Sequence, residues 1–263
     1  MLDPVVFYLL IGALAGILAG LLGVGGGLVI VPALVFVFHA YGIASASATH
    51  IAVGTSLATI VFTSLSSVWA HHKRGAVMWP VFRQLVPGLV AGALIGAAIA
   101  DFLSTRSLSK VFGIFELLIA TYMLIDTRPA PHRNLPSFAG MFGASSIIGT
   151  VSSIIGIGGG TMTVPFLVWC NQNIRNAVAT SAACGLPIAF AGAAGFVTAG
   201  LNEPGLPDSA TGYLYWPAFL GIVACSVLTA PLGARLAHSI PTGVLKKFFA
   251  LFLMGLGIRM LWF

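Results

Sequence analysis

The chain has 263 residues; 58% are hydrophobic, only 7% are Asp, Glu, Lys or Arg, and the formal net charge is +6. A soluble domain carries about 25% charged residues, so a cytosolic enzyme and a disordered chain are excluded and the chain falls in the membrane class. Its Lys and Arg are scattered rather than clustered among aromatics, and Cys170, Cys184 and Cys225 form no C-x-x-C pair, so no nucleic-acid surface, disulfide frame or zinc site is expected.

The first apolar segment runs over 5–22 with no Lys or Arg ahead of it, which argues against a cleaved signal peptide. Its Gly12-x3-Gly16-x3-Gly20 face reads as close helix packing. Gly23-Val24-Gly25-Gly26-Gly27 then leads into a short segment, 28–40. About a dozen residues at ~1.5 Å each reach under 20 Å, well short of a ~30 Å hydrocarbon core. We read a half-length helix entered through an unwound glycine turn. Its Pro32 stands near the helix start, where a missing N–H matters little within the first turn.

Segments 48–70, 78–100 and 108–126 follow. The first carries Ala52-Val53-Gly54-Thr55-Ser56 early on. The second opens on Trp79-Pro80 and contains Gly92-x3-Gly96, a face that fits an internal contact or a homodimer equally. The third holds Glu116, the one carboxylate near the middle of an expected helix. The hydrophilic stretch 127–136 reads as a linker. Beyond it, 137–155 runs into Gly156-Ile157-Gly158-Gly159-Gly160, and 161–171, with Pro165, is again about a dozen residues. Segments 176–199, 213–236 and 243–262 complete the chain, with Ala177-Val178-Ala179-Thr180-Ser181 and Trp216-Pro217 at the corresponding points.

The two parts thus repeat one another. Gly96 matches Gly233, and Leu108, Lys110 and Phe112 match Leu245, Lys247 and Phe249, all in the same order. Two halves of five segments each must lie in opposite orientations. Loop charge agrees. With His71, His72, Lys73 and Arg74 cytoplasmic, Arg83, Arg128, Arg133, Arg175, Arg235, Lys246 and Lys247 fall on the same side, and only Arg106, Lys110 and Arg259 fall outside. The expected fold is an all-α polytopic membrane protein of about ten segments, arranged as two inverted five-segment repeats, each with a glycine-broken half-helix. Residues 1–126 form the first repeat, 127–136 a cytoplasmic linker and 137–263 the second repeat.

Inverted repeats with a broken helix in each half are a transporter plan in which the breaks meet near mid-membrane. The free N–H groups and positive dipole end of a half-helix favour an anion there. Thr55-Ser56 and Thr180-Ser181 offer hydroxyl donors beside the turns, or back-bonds to their own helices. Glu116 is a candidate for proton coupling. His50 and its counterpart Arg175 either attract the anion or cap helix ends. Too few carboxylates lie within the segments for a hard-cation site. No nucleotide, hydrolase or thiol motif appears, so neither a catalytic residue nor a cofactor is expected.

The duplicated G-[VI]-G-G-G-x4-P clusters, each followed by an A-x-x-T-S signature, resemble the TauE/SafE sulfite exporter family, also called the 4-toluene sulfonate uptake permease family. The resemblance covers roughly 5–262. It implies carriage of sulfite or a related organosulfonate anion, with export by alternating access driven by membrane potential or a proton gradient, in a bacterial-type inner membrane. Carried over, the binding positions are Gly23, Gly25, Gly26, Gly27, Thr55 and Ser56, with Gly156, Gly158, Gly159, Gly160, Thr180 and Ser181. The halves differ at Gly54 and Ala179, so they need not contribute equally. The rival readings are a passive anion channel, a carrier for another small anion or sulfur compound, a thiol-transfer protein using the three cysteines, and a metal importer.

Overall fold

Ten helices form among the residues described by the computed structural model, which are 3–22, 26–43, 46–125, 134–236 and 242–262. In chain order they are α1 (Pro4–Leu22), α2 (Gly27–Tyr41), α3 (Ala48–Lys73), α4 (Trp79–Phe102), α5 (Thr105–Ile125), α6 (Phe138–Ile155), α7 (Gly160–Trp169), α8 (Ile174–Gly200), α9 (Trp216–Leu236) and α10 (Thr242–Leu261). Five of these, α3, α4, α5, α6 and α8, are long and apolar enough to cross a membrane. The ten residues of α7 reach about 15 Å, so this segment is a half-helix. Large apolar side chains face outward, among them Leu10, Phe102, Phe190, Leu228 and Phe248. That surface suits lipid and not water. Arg83 and Arg259 are exposed near helix ends, as snorkelling side chains are.

The boundaries follow local chemistry. Trp79-Pro80 and Trp216-Pro217 open α4 and α9, where proline's missing N–H has no intrahelical acceptor to lose. The Asn173 side chain accepts from Arg175 N–H at 2.9 Å and caps α8. Pro32 and Pro165 correct the expectation that they sit in the first turn. Each is the sixth residue of its helix, so it withdraws the donor that would bond the carbonyl of Leu28 or Thr161. The last long segment but one begins at Trp216 rather than 213. Residues Ala210–Thr211 (β1) and Leu214–Tyr215 (β2) pair first as an antiparallel hairpin turned at Gly212, φ 54°.

The packing is crosswise. α1 lies along α9, and α6 lies along α4, so the first helix of each half packs on the fourth of the other. α5 pairs with α10 and α3 with α8. Exchanging the two halves reproduces these principal pairings. Glycine makes the crosswise contacts close. A Cβ on Gly12 would lie 2.8 Å from Ile222 Cα, and one on Gly16 would lie 2.7 Å from Ser226 Cα. On α4, Gly92 presses on Ser146 and Gly96 on Thr150 of α6. The Gly92-x3-Gly96 face is therefore used inside the chain.

Candidate functional site

Gly26 and Gly159 occupy the same place in the two glycine clusters and take the same conformation. Gly26 has φ 78° and caps α2, and Gly159 has φ 74° and caps α7. A residue with a Cβ is strained in this left-handed region. The first intrahelical acceptors are their own carbonyls. Ile30 N–H bonds Gly26 O at 3.0 Å, and Thr163 N–H bonds Gly159 O at 2.9 Å. The N–H groups of Gly160 and Thr161 precede the first bonds of α7, as helix-start donors do. Gly23 and Gly25, and linker residues 127–133, lie outside the described residues.

The two turns touch. A Cβ on Gly27 would press on the carbonyl oxygen of Gly156 and lie 3.1 Å from Ile157 Cα. Ser56 ties the same point, donating to Gly156 O at 2.9 Å. Gly156 (φ 77°) in turn packs on Val31 and Val53, and Gly158 packs on Ile60 and Gly185. Two half-helices, one from each part of the chain, thus begin at one buried junction held by α3 and α8.

The paired threonines do something the sequence did not suggest. Thr55 Oγ1 accepts the backbone N–H of Tyr215 at 3.0 Å, and Thr180 Oγ1 accepts that of Met78 at 3.0 Å. Each threonine therefore tethers the residue just ahead of the other half's fourth helix. Ser181 Oγ is buried without a hydrogen-bond partner among the described residues. So are the hydroxyls of Ser152, Ser153, Thr161 and Thr163 around the second turn, a group that sequence reasoning missed.

Glu116 is fully buried, and neither carboxylate oxygen has a hydrogen-bond partner among the described residues. Its helix packs chiefly on α10, with lesser contact to α3 and α6, and α7 is not among its main neighbours. His50 is also buried. Its Nε2 meets Ala100 O at 2.9 Å, its Nδ1 meets Thr105 Oγ1 at 3.2 Å, and its ring lies against that of Tyr213, tilted by 31°. It joins the ends of α3, α4 and α5. The Tyr213 hydroxyl donates to Asp101 at 3.1 Å, and burial, then the Asp101 charge, hold this phenol protonated well above its ordinary value. Arg175 is exposed. Cys170, Cys184 and Cys225 are unpaired, and no group of three His, Cys, Asp or Glu that could hold a metal occurs among the described residues.

The sequence profile described as Sulfite exporter TauE/SafE matches residues 8–260. A "Probable membrane transporter protein" of Haemophilus influenzae is 39% identical over 254 residues, covering 96% of each chain. One of Methanocaldococcus jannaschii is 29% identical, covering 85% of this chain and 80% of its own. Another, of Xylella fastidiosa, is 28% identical and covers 95% and 92%. No solved structure matches the chain.

Proposed function

Since the chain belongs to the TauE/SafE sulfite exporter family and is a multi-pass membrane transporter, we propose that it exports sulfite or a related organosulfonate anion by alternating access across a bacterial-type inner membrane. The observation that carries this reading is the junction of the two glycine turns, where Gly27 abuts Gly156 and two half-helices start. Helix starts present N–H donors and a positive dipole end, which suit an oxyanion. No cluster of carboxylates stands among the described residues to attract a cation instead.

Two repeats, 1–126 and 137–263, flank a cytoplasmic linker at 127–136 in this reading and lie inverted in the bilayer. The crosswise helix pairing and the exchanged Thr55–Tyr215 and Thr180–Met78 bonds support it, as does the excess of Lys and Arg on one side. Alternating access opens the junction to each face in turn while the crosswise pairs α1–α9 and α4–α6 stay packed.

The membrane potential favours outward movement of a negative charge by about 2.3 kcal/mol per 100 mV, so export needs no other driving force. Coupling to protons would run through Glu116. The test is uptake of radiolabelled sulfite into proteoliposomes under an imposed potential, with sulfonates as competitors. Saturable flux that follows the potential and is blocked by sulfonates supports the carrier. Flux that does not saturate indicates a channel, and no flux of any sulfur oxyanion refutes the substrate class. A flux that responds to a pH gradient in the native protein but not in Glu116→Gln assigns the coupling.

A further inference from the structure

We propose that the anion is held on one side of the junction only, by the hydroxyl groups of Ser152 and Thr163 and the N–H groups of Gly160 and Thr161 at the second glycine turn. This rests on the anion-carrier reading above and assigns its ligand to particular donors.

Ser152 and Thr163 are completely buried. Their oxygens, and that of Thr161, have no hydrogen-bond partner among the described residues. Serine and threonine in apolar helices ordinarily bond back to a carbonyl one turn earlier. On α6 itself, Ser146 does so to Phe142 O at 2.8 Å and Thr150 to Ser146 O at 2.9 Å. Ser152, on the same helix, does not. Instead the oxygens of Ser152 and Thr163 converge on the helix start. They lie 3.7 and 3.6 Å from the place a Cβ would take on Gly159. An unmade hydrogen bond on a buried hydroxyl is costly. The Ile188 side chain reaches the same place, so an acceptor that turned it aside would be held by both hydroxyls. Gly160 and Thr161 add free N–H donors at the same point.

The first turn has the matching N–H donors of Gly27 and Leu28, but no unpartnered hydroxyl stands beside them among the described residues. The residues that correspond to Ser152, Thr161 and Thr163 are Ala19, Leu28 and Ile30. The atoms nearest a Cβ on Gly26 belong to Ala15 and the Ile30 side chain. The helices differ as well. α2 is buried along most of its length, whereas only Thr163 and Leu167 are buried on α7. The hydroxyl-bearing half-helix is the less firmly anchored one. Two hydroxyls and two N–H groups, all neutral, suit the oxygens of a small sulfur oxyanion.

The test uses full-length protein with Cys170, Cys184 and Cys225 replaced by Ala, carrying Ser152→Cys, Thr163→Cys or, as the comparison, Ile30→Cys. Reconstituted protein is treated with the anionic reagent sulfonatoethyl methanethiosulfonate, with and without ethanesulfonate. Modification at 152 and 163 that ethanesulfonate slows, with none at 30, is the expected result. Equal labelling at 30, no labelling at 152 and 163, or labelling that ethanesulfonate leaves unchanged would overturn the assignment.

A second readout needs no cysteine. Thr163→Val and Ser152→Ala should raise the KM for sulfite about tenfold or more, the scale of losing a hydrogen bond to a charged group. Thr163→Ser should keep the native KM, and so should Ile30→Val. Unchanged KM in both hydroxyl variants would overturn the proposal even if no cysteine variant folds. Protected labelling without sulfite flux would sink the carrier reading and leave the site standing. Sulfite flux without protection would do the reverse.

Discussion

Gly27→Ala probes the point where the two turns touch. The added methyl would press on Gly156 O and lie 3.1 Å from both Ile157 Cα and Ile60 Cδ1. Two of those atoms are backbone and cannot swing aside. Overpacking a tight interior costs about 1–3 kcal/mol. Ser56→Ala acts on the same carbonyl but only removes the 2.9 Å hydrogen bond. Bonds between membrane helices are worth about 0.6 kcal/mol on average and about 1.7 kcal/mol at most. The steric change should therefore dominate. Taken as a barrier to opening the junction, about 2 kcal/mol slows turnover roughly 30-fold and about 0.6 kcal/mol roughly threefold. Potential-driven sulfite flux in proteoliposomes, normalised to folded protein, should fall by those factors. Gly12→Ala is the control. It creates a similar clash with Ile222, 2.8 Å from its Cα, but between α1 and α9. It should lower the melting temperature and leave flux per folded molecule intact. Native flux in Gly27→Ala, or an equal loss in Gly12→Ala, would refute the view that the junction itself governs transport.

Thr55→Val and Thr180→Val each strand a partly buried backbone N–H, of Tyr215 or Met78. Each should cost about 1–3 kcal/mol, or several degrees in melting temperature at about 2–4 °C per kcal/mol, and serine at either position should restore it. Glu116→Leu removes a buried carboxyl with no hydrogen-bond partner among the described residues, so the melting temperature should rise; a fall would reveal a partner. Replacing Cys170, Cys184 and Cys225 together by alanine should leave transport intact, and its abolition would bring thiol chemistry back into consideration.

The helix plan was legible because its signals are physical and local. Runs of apolar residues must be helical in lipid, and a G-x-G-G-G run cannot sustain one. Hence α1 to α10 begin and end within a few residues of their expected places. The misplaced start of α9 came from a hairpin whose partner, Thr55, lies 160 positions away, beyond any local pattern. The hydroxyls were the hard part. Thr55 and Thr180 sit early in the helix that follows each short one, but their oxygens accept distant backbone N–H groups. Ser152 and Thr163 look like ordinary back-bonding residues until the geometry places them against Gly159. One signal was there to find: laid over the first half, their positions hold Ala19 and Ile30.

The crosswise pairing also governs how the protein is made. α1 finds its main partner only when α9 has been synthesised, roughly 200 residues later, which at about 5–20 residues per second is about ten to forty seconds. Through that interval its Gly12 and Gly16 face has only lipid, or an insertion factor, to lie against. Neither half can complete its own packing, since each lends its first helix to the other. Insertion of this chain therefore ends in one late step, the arrival of α9 and α10, and a ribosome that stalls after the linker leaves behind a half with its contact surfaces open.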